Sequence, residues 1–170
     1  MSTTAAPRSA SGIAFLVAGG AILLAIVSFV TAFLPANDWL YLVAFVAITV
    51  GLVLLALRDL HNGTARTAAL FAALGWAILV VARLVPGLPG LVDSSAQLVI
   101  LVASVVVAIV VGVVKDLPQR SRFALIASSA IAALYMLSAL FGWFGSLAAL
   151  TTILLGVTLL VHGYFRTTHQ

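Results

Sequence analysis

The chain has no cysteine, and only 7% of its 170 residues are charged. The absence of cysteine excludes disulfides, thiolate nucleophiles, cysteine-ligated metals and cysteine-anchored lipids. Soluble domains contain roughly 25% charged residues on average. With so few charges, 64% hydrophobic residues and a mean hydropathy of +1.30, the chain has too little polar surface to cover a water-soluble globule of its size. The composition therefore predicts an integral membrane protein with the lipid bilayer as its partner.

The few charges are mostly basic, which gives a formal net charge of +4 and a pI near 10.4. We expect no nucleic-acid partner, because the basic residues stand in short loops between apolar runs, where orientation in the membrane explains them. Arginine outnumbers lysine seven to one in a chain rich in alanine, valine and leucine, a bias typical of GC-rich bacterial genes. The expected location is the bacterial cytoplasmic membrane.

Apolar runs of about 20 residues are long enough to cross the hydrocarbon of a bilayer as helices. Six such runs occur, over 13–34, 39–57, 67–85, 94–114, 123–141 and 147–165. The predicted fold class is an all-α membrane protein with six transmembrane helices in one domain over 13–166. Residues 1–12 and 167–170 are expected to be tails, the first of them flexible.

The basic residues divide unequally between the two sides of such a bundle. One side carries Arg8, Arg58, Arg66, Lys115, Arg120, Arg122 and Arg166, whereas the other carries Arg83 alone. Because cytoplasmic loops are enriched in lysine and arginine, the side with seven basic residues is predicted to be cytoplasmic. An even number of spans then places both termini in the cytoplasm.

Two loops share a motif, which indicates an internal repeat. The second run closes with RDL at 58–60, and the fourth closes with KDL at 115–117. We interpret the chain as three consecutive helical hairpins, with any pseudo-symmetry axis along the membrane normal. Asp59 and Asp116 face the unfavourable negative end of a helix dipole, so we expect ion pairs with basic neighbours to compensate them.

Small residues form stripes on the first and sixth runs. In lipid, helices associate through close contact between small residues. The first run carries them with the spacing 4-3-4-3-4, which keeps them on one face, and the sixth has two glycines seven residues apart. These residues are Ala14, Ala18, Ala21, Ala25, Ser28, Ala32, Gly156 and Gly163. We expect the stripes to pack against helices of the same chain, with a homo-oligomer interface as the alternative.

The middle of every run lacks Asp, Glu, Lys, Arg and His. Ionisable residues at this depth usually mark transport paths, so their absence argues against a proton-coupled antiporter and a helix-embedded metalloenzyme. A pore for neutral solutes, or a carrier that uses backbone groups, stays open. His61, His162 and His169 lack ligand spacing, and the chain has no phosphate loop, zinc signature or GxSxG motif. We predict no catalytic, cofactor or metal site.

Arg83 is the one basic residue on the predicted outer side, and it stands one turn inside the outer end of the third run. It could contact an anion or a lipid headgroup, together with Gln97. The alternative is that its side chain extends to the headgroup layer or pairs with Asp93 or Asp38.

The segment GSLAALTTILLGVTLLVHGYFR at 145–166 resembles the closing hairpin of the HdeD-like family of small bacterial membrane proteins. Gly156 and Gly163 fit the paired glycines of that family's two-helix unit, and Pro35 and Pro86 fit its outer turns. In the third turn, Gly142 replaces the proline. The resemblance implies six spans in repeated two-helix units and an association with acid resistance.

Three functions follow as hypotheses. The first is a non-enzymatic integral membrane protein of the HdeD-like kind, linked to envelope or acid stress. The second is an accessory subunit that docks on a larger membrane assembly through its small-residue faces. The third is a small-solute carrier or substrate-binding subunit, which a Ser/Thr-lined cavity open to the outside near Arg83 and Gln97 would favour.

Overall fold

The computed structural model describes the backbone of residues 9–31, 37–85, 87, 90–141 and 145–168, and the side chains outside 29–38 and 142–148. This part of the chain forms six helices: α1 Ala10–Thr31, α2 Asn37–Arg58, α3 Gly63–Leu84, α4 Gly90–Val113, α5 Gln119–Phe141 and α6 Gly145–Thr168. Each has a stretch long and apolar enough to cross a membrane. The prediction of an all-helical chain with six such segments is confirmed. Several residues used in the sequence analysis lie outside the described side chains: Arg8, Ala32, Pro35, Asp38, Pro86, Gly142 and His169.

The helices begin earlier than the apolar runs do. α1 starts at Ala10, three residues before the predicted run, and Ser9, Ser11 and Gly12 are buried although they belong to the expected flexible tail. α3 starts at Gly63, with Asn62 as its N-cap. The Asn62 Oδ1 atom accepts hydrogen bonds from the backbone N–H groups of Thr64 and Ala65 at 3.0 and 3.1 Å. Hydropathy marks the apolar run, whereas hydrogen bonding sets the helix start.

The six helices form a closed ring. Each packs against the next in the chain, and α6 returns to pack against α1; no other pair has Cα atoms within 8 Å among the described residues. α2 packs on α3, and α4 on α5, so the contacts alone do not divide the ring into three hairpins. That division stays a prediction.

Two polar connections lie side by side at one end of the ring. The Asp116 Oδ2 atom accepts hydrogen bonds from the backbone N–H groups of His61 and Asn62, at 3.2 and 2.8 Å. The start of α1 and the end of α6 lie at this same end, which we call the terminal end. The opposite end, at the start of α2 and the end of α3, is the distal end. The described basic residues at the terminal end are Arg58, Arg66, Lys115, Arg120, Arg122 and Arg166.

Glycines close the seam between α1 and α6. A Cβ atom added to Gly19 would lie 2.6 Å from the Gly156 carbonyl oxygen, and one added to Gly163 would lie 2.7 Å from the Gly12 carbonyl oxygen. Only glycine permits this approach of two backbones. On the predicted stripe of α1, Ala18, Ala21, Ala25 and Ser28 are buried, and Ala14 is half-buried. These small residues therefore serve packing within the chain.

The axis of the ring is filled. Phe15, Trp76, Ile100 and Met136 are among the most deeply buried side chains. A central cavity of about 30 Å³ remains, lined by residues from all six helices. A cavity of this volume has room for little more than ordered water.

Candidate functional site

A cavity of about 500 Å³ lies at the distal end, between α2, α3 and α5. Its lining is mainly aromatic, with one cation: Trp39, Tyr41, Leu42, Phe45, Arg83, Leu84 and Tyr135. Trp39 and Tyr41 stand in the first turns of α2, and Arg83 stands in the last turn of α3. The negative end of the α3 dipole favours a cation at that position. This distal cavity is the first candidate site.

Arg83 is exposed and forms no ion pair with a described residue. Pairing with Asp93, one of the alternatives, does not occur. The Asp93 Oδ2 atom instead accepts a hydrogen bond from Gln97 Nε2 at 2.8 Å, four residues along α4. Gln97 is therefore engaged on its own helix and does not line the cavity of Arg83. A joint contact of Arg83 and Gln97 with an anion or a lipid headgroup stays a prediction.

Aromatic rings lead from the distal cavity toward the core. The ring centroids of Tyr41 and Phe45 are 6.4 Å apart, and those of Phe45 and Trp76 are 5.0 Å apart. Trp76 also lines the central cavity, so this pair of rings lies between the two spaces.

Tyr41 and Tyr135 line the distal cavity, and neither hydroxyl group has a hydrogen bond to another described residue. Tyr135 lies within electrostatic range of Tyr41, Arg83 and Asp93. A free guanidinium group offers two parallel N–H donors to a carboxylate or phosphate, and phenol hydroxyls add further donors. The arrangement can hold an anionic group against aromatic walls. No described serine or threonine lines this cavity, so the feature that would favour a small-solute carrier is not seen among the described residues.

Most hydroxyl groups at membrane depth are satisfied by their own helix. Ser28, Thr49, Ser128 and Thr158 each donate to the carbonyl oxygen four residues earlier, at 2.7 to 2.9 Å. Such back-bonding is common for these residues and occupies their hydroxyl donors.

A second polar cluster lies at the terminal end. Arg166 Nη2 lies 2.5 Å from Asp59 Oδ1, and only 6% of Arg166 and 16% of Asp59 are exposed. Ser11 Oγ donates to Asp59 Oδ2 at 3.0 Å, and the Ser9 and Ser11 hydroxyls are 2.7 Å apart. An ion pair was expected for Asp59, but its partner is Arg166 of α6 rather than a basic neighbour in its own loop. Arg58, next to it in sequence, is exposed.

His162 is fully buried in this cluster, one turn before Arg166 on α6. Its Nδ1 atom lies 3.2 Å from the Ser121 carbonyl oxygen, and its ring meets Phe15 edge-on with centroids 4.8 Å apart. The sequence alone gave His162 no role, because the three histidines lack ligand spacing. The spacing of four between His162 and Arg166 was the available signal, because it places both on one helix face.

The described residues contain no group of three or more His, Asp or Glu side chains placed to hold a metal ion. No family model, curated protein or solved structure matches the chain. The similarity of 145–166 to HdeD-like proteins therefore stays a prediction.

Proposed function

We propose that this chain is a non-enzymatic protein of the bacterial cytoplasmic membrane that binds an anionic small molecule in the distal cavity. In this proposal the six helices are three hairpins that cross the membrane, and the terminal end with both termini faces the cytoplasm. The excess of basic residues at the terminal end supports that orientation. The distal cavity then opens to the outside.

The position of Arg83 is the main support for the binding role. It is a cation without a described counter-ion, in a cavity walled by aromatic rings. Ligand cavities of roughly 300–1,000 Å³ with apolar walls and a few polar groups are typical of small-molecule sites. The guanidinium group selects a carboxylate or phosphate. The rings of Trp39 and Phe45 select an aromatic or apolar remainder. We therefore expect the ligand to be an organic anion that carries an aromatic or apolar ring.

Binding fits the described geometry better than an open pore does, because the rings of Phe45 and Trp76 lie in contact between the distal and central cavities. The accessory-subunit hypothesis has less support, since Gly19, Gly156 and Gly163 are used for packing inside the chain. The resemblance of 145–166 to HdeD-like proteins supports the six-span architecture, and we retain envelope or acid stress as the proposed physiological setting.

The test uses the full chain in nanodiscs and isothermal titration with 1-naphthoate and phenyl phosphate, with neutral 1-naphthamide as the matched compound. We expect the anions to bind and the amide to bind at least tenfold more weakly. The variant Arg83→Gln should weaken anion binding by about 10- to 100-fold, since hydrogen bonds to charged groups contribute roughly 1.5–3 kcal/mol.

The matched control is Arg66→Gln, which removes an exposed arginine at the terminal end. It should leave the affinity unchanged. Equal binding of anion and amide, or equal losses from both arginine variants, would contradict the proposed site.

A further inference from the structure

Among the described residues, fully buried polar atoms without a hydrogen-bond partner concentrate at the terminal end. Within the described chain, the fully buried side-chain atoms that lack a hydrogen-bond partner are Ser121 Oγ, His162 Nε2, Arg166 Nε and Arg166 Nη2. Arg166 Nη2 forms the ion pair with Asp59, so the fully buried atoms left without any partner among the described residues are Ser121 Oγ, His162 Nε2 and Arg166 Nε. Buried polar groups in proteins are nearly always satisfied by protein or by ordered water.

These atoms belong to one region of the bundle. His162 and Arg166 lie on the same face of α6, one turn apart, and Ser121 faces His162 from the first turn of α5. Phe15 of α1 covers the side toward the core. Asp59, partly exposed, lies on the side toward the terminal end. The region thus has an aromatic ring on one side and a partly exposed carboxylate on the other.

We propose that this region, the inner polar pocket, binds ordered water that enters from the terminal end past Asp59 and hydrogen-bonds to Ser121, His162 and Arg166. Water suits the mixed set of atoms, because it accepts from the Arg166 N–H groups and can either donate to or accept from an imidazole nitrogen and a hydroxyl group. An anion suits the pocket poorly, since Asp59 already balances Arg166 and the negative ends of two helices lie nearby. A metal cation is opposed by the guanidinium charge.

Hydration of this kind gives His162 a one-sided connection to solvent. Protons can exchange between the imidazole and the terminal end through the bound water, whereas Phe15 blocks further passage toward the central cavity. The groups around His162 are Phe15 on α1, Ser121 on α5 and Arg166 on α6, with Asp59 beyond Arg166. This inference is independent of the distal cavity.

The test is proton-detected solid-state NMR of the full chain in lipid bilayers, with magnetisation transferred from water to ¹⁵N-labelled side chains. We expect the His162 imidazole and Arg166 Nε to receive water magnetisation within a factor of three of the rate at exposed His61. The amide of Ile100, which is 0% exposed, is the dry reference and should be at least tenfold slower. Transfer of water magnetisation to the His162 and Arg166 side chains as slow as that to the Ile100 amide would overturn the proposal.

Two variants sharpen the test. Phe15→Leu keeps an apolar seal and should leave the transfer rates unchanged, whereas Phe15→Ala should admit water toward Ser104 and Ser129, which line the central cavity. The same spectra are recorded after chloride is replaced by gluconate. A change in the Arg166 signals on that replacement would show a bound anion and would overturn the assignment to water.

Discussion

Arg166 at the end of α6 pairs with Asp59 just after α2, although α2 and α6 make no contact with each other in the described ring. Both helices flank α1, and Ser11 of α1 donates to the same carboxylate. The ion pair therefore spans the start of α1 and ties three neighbouring helices together. This position explains why residues expected in a flexible tail are buried.

Removing one partner of this pair should destabilise the bundle strongly. Breaking a buried ion pair by a single substitution costs about 3–5 kcal/mol, because the remaining charge is left without compensation. We expect Asp59→Asn and Arg166→Met each to show a loss of this order in reversible unfolding in mixed micelles. The double variant Asp59→Leu/Arg166→Met should recover much of it, which a double-mutant cycle measures.

Arg58→Gln is the control for this prediction, because Arg58 is next to Asp59 but exposed. It should change the stability by no more than about 0.5 kcal/mol, as most surface substitutions do. An Asp59→Asn variant as stable as the wild type would contradict the central role of this ion pair. So would a double variant whose loss of stability equals the sum of the two single losses.

Two adjacent glycines of α1 should respond to alanine in opposite directions. A Cβ atom on Gly19 would collide with the α6 backbone at 2.6 Å, whereas one on Gly20 would meet nothing within 4 Å. Gly19→Ala should therefore destabilise the chain by about 1–3 kcal/mol through overpacking at the seam. Gly20→Ala should stabilise it by up to about 1 kcal/mol through higher helix propensity.

Thermal unfolding of the two alanine variants in the same detergent measures this contrast. The prediction concerns the sign of each shift in melting temperature relative to the wild type. Because both variants are measured in the same detergent, its effect is common to both. If Gly19→Ala melts at or above the temperature of Gly20→Ala, the close approach of α1 and α6 is wrong.

The number of helices follows from the sequence because hydropathy is a local property of each apolar run. The packing seam does not follow in the same way. Gly19 and Gly20 are equivalent in sequence, and only the rotation of α1 about its axis decides that Gly19 meets Gly156. The alanine stripe indicated the buried face of α1 but not the point of closest approach.

Side-chain partners were harder to predict than helices. Gln97 was grouped with Arg83 because both stand near the same end of the bundle, yet its partner is Asp93, four residues away on the same helix. That spacing was legible in the sequence. The partner of Asp59 was not, since Arg166 is distant in the chain and approaches only when α6 closes the ring on α1.

The tyrosine hydroxyls of the distal cavity should contribute to anion binding. Tyr41→Phe and Tyr135→Phe each remove one free donor while keeping the aromatic wall. Since a neutral hydrogen bond contributes about 0.5–1.5 kcal/mol, we expect the affinity for 1-naphthoate to fall roughly two- to tenfold in each variant. Titration of the full chain in nanodiscs measures this loss.

Tyr164→Phe is the matched control, because Tyr164 is exposed near the end of α6, away from the distal cavity. It should bind the anion as the wild type does. If all three tyrosine variants bind equally well, the ligand does not touch the hydroxyl groups of Tyr41 and Tyr135, and this prediction is wrong.

The orientation in the membrane can be tested directly, because the chain has no cysteine of its own. Single cysteines replace His61 at the terminal end and Ser94 at the start of α4, both of which are exposed positions. We expect a membrane-impermeant maleimide to label Ser94→Cys in intact cells, and to label His61→Cys only after the membrane is permeabilised.

The physical reason is that arginine and lysine in short loops are retained on the cytoplasmic side during insertion. Six described basic residues lie at the terminal end, whereas Arg83 is the one described at the distal end. Labelling of both variants in detergent controls for reactivity. The reverse pattern in intact cells would place the distal cavity in the cytoplasm, and the anion would then be an intracellular one.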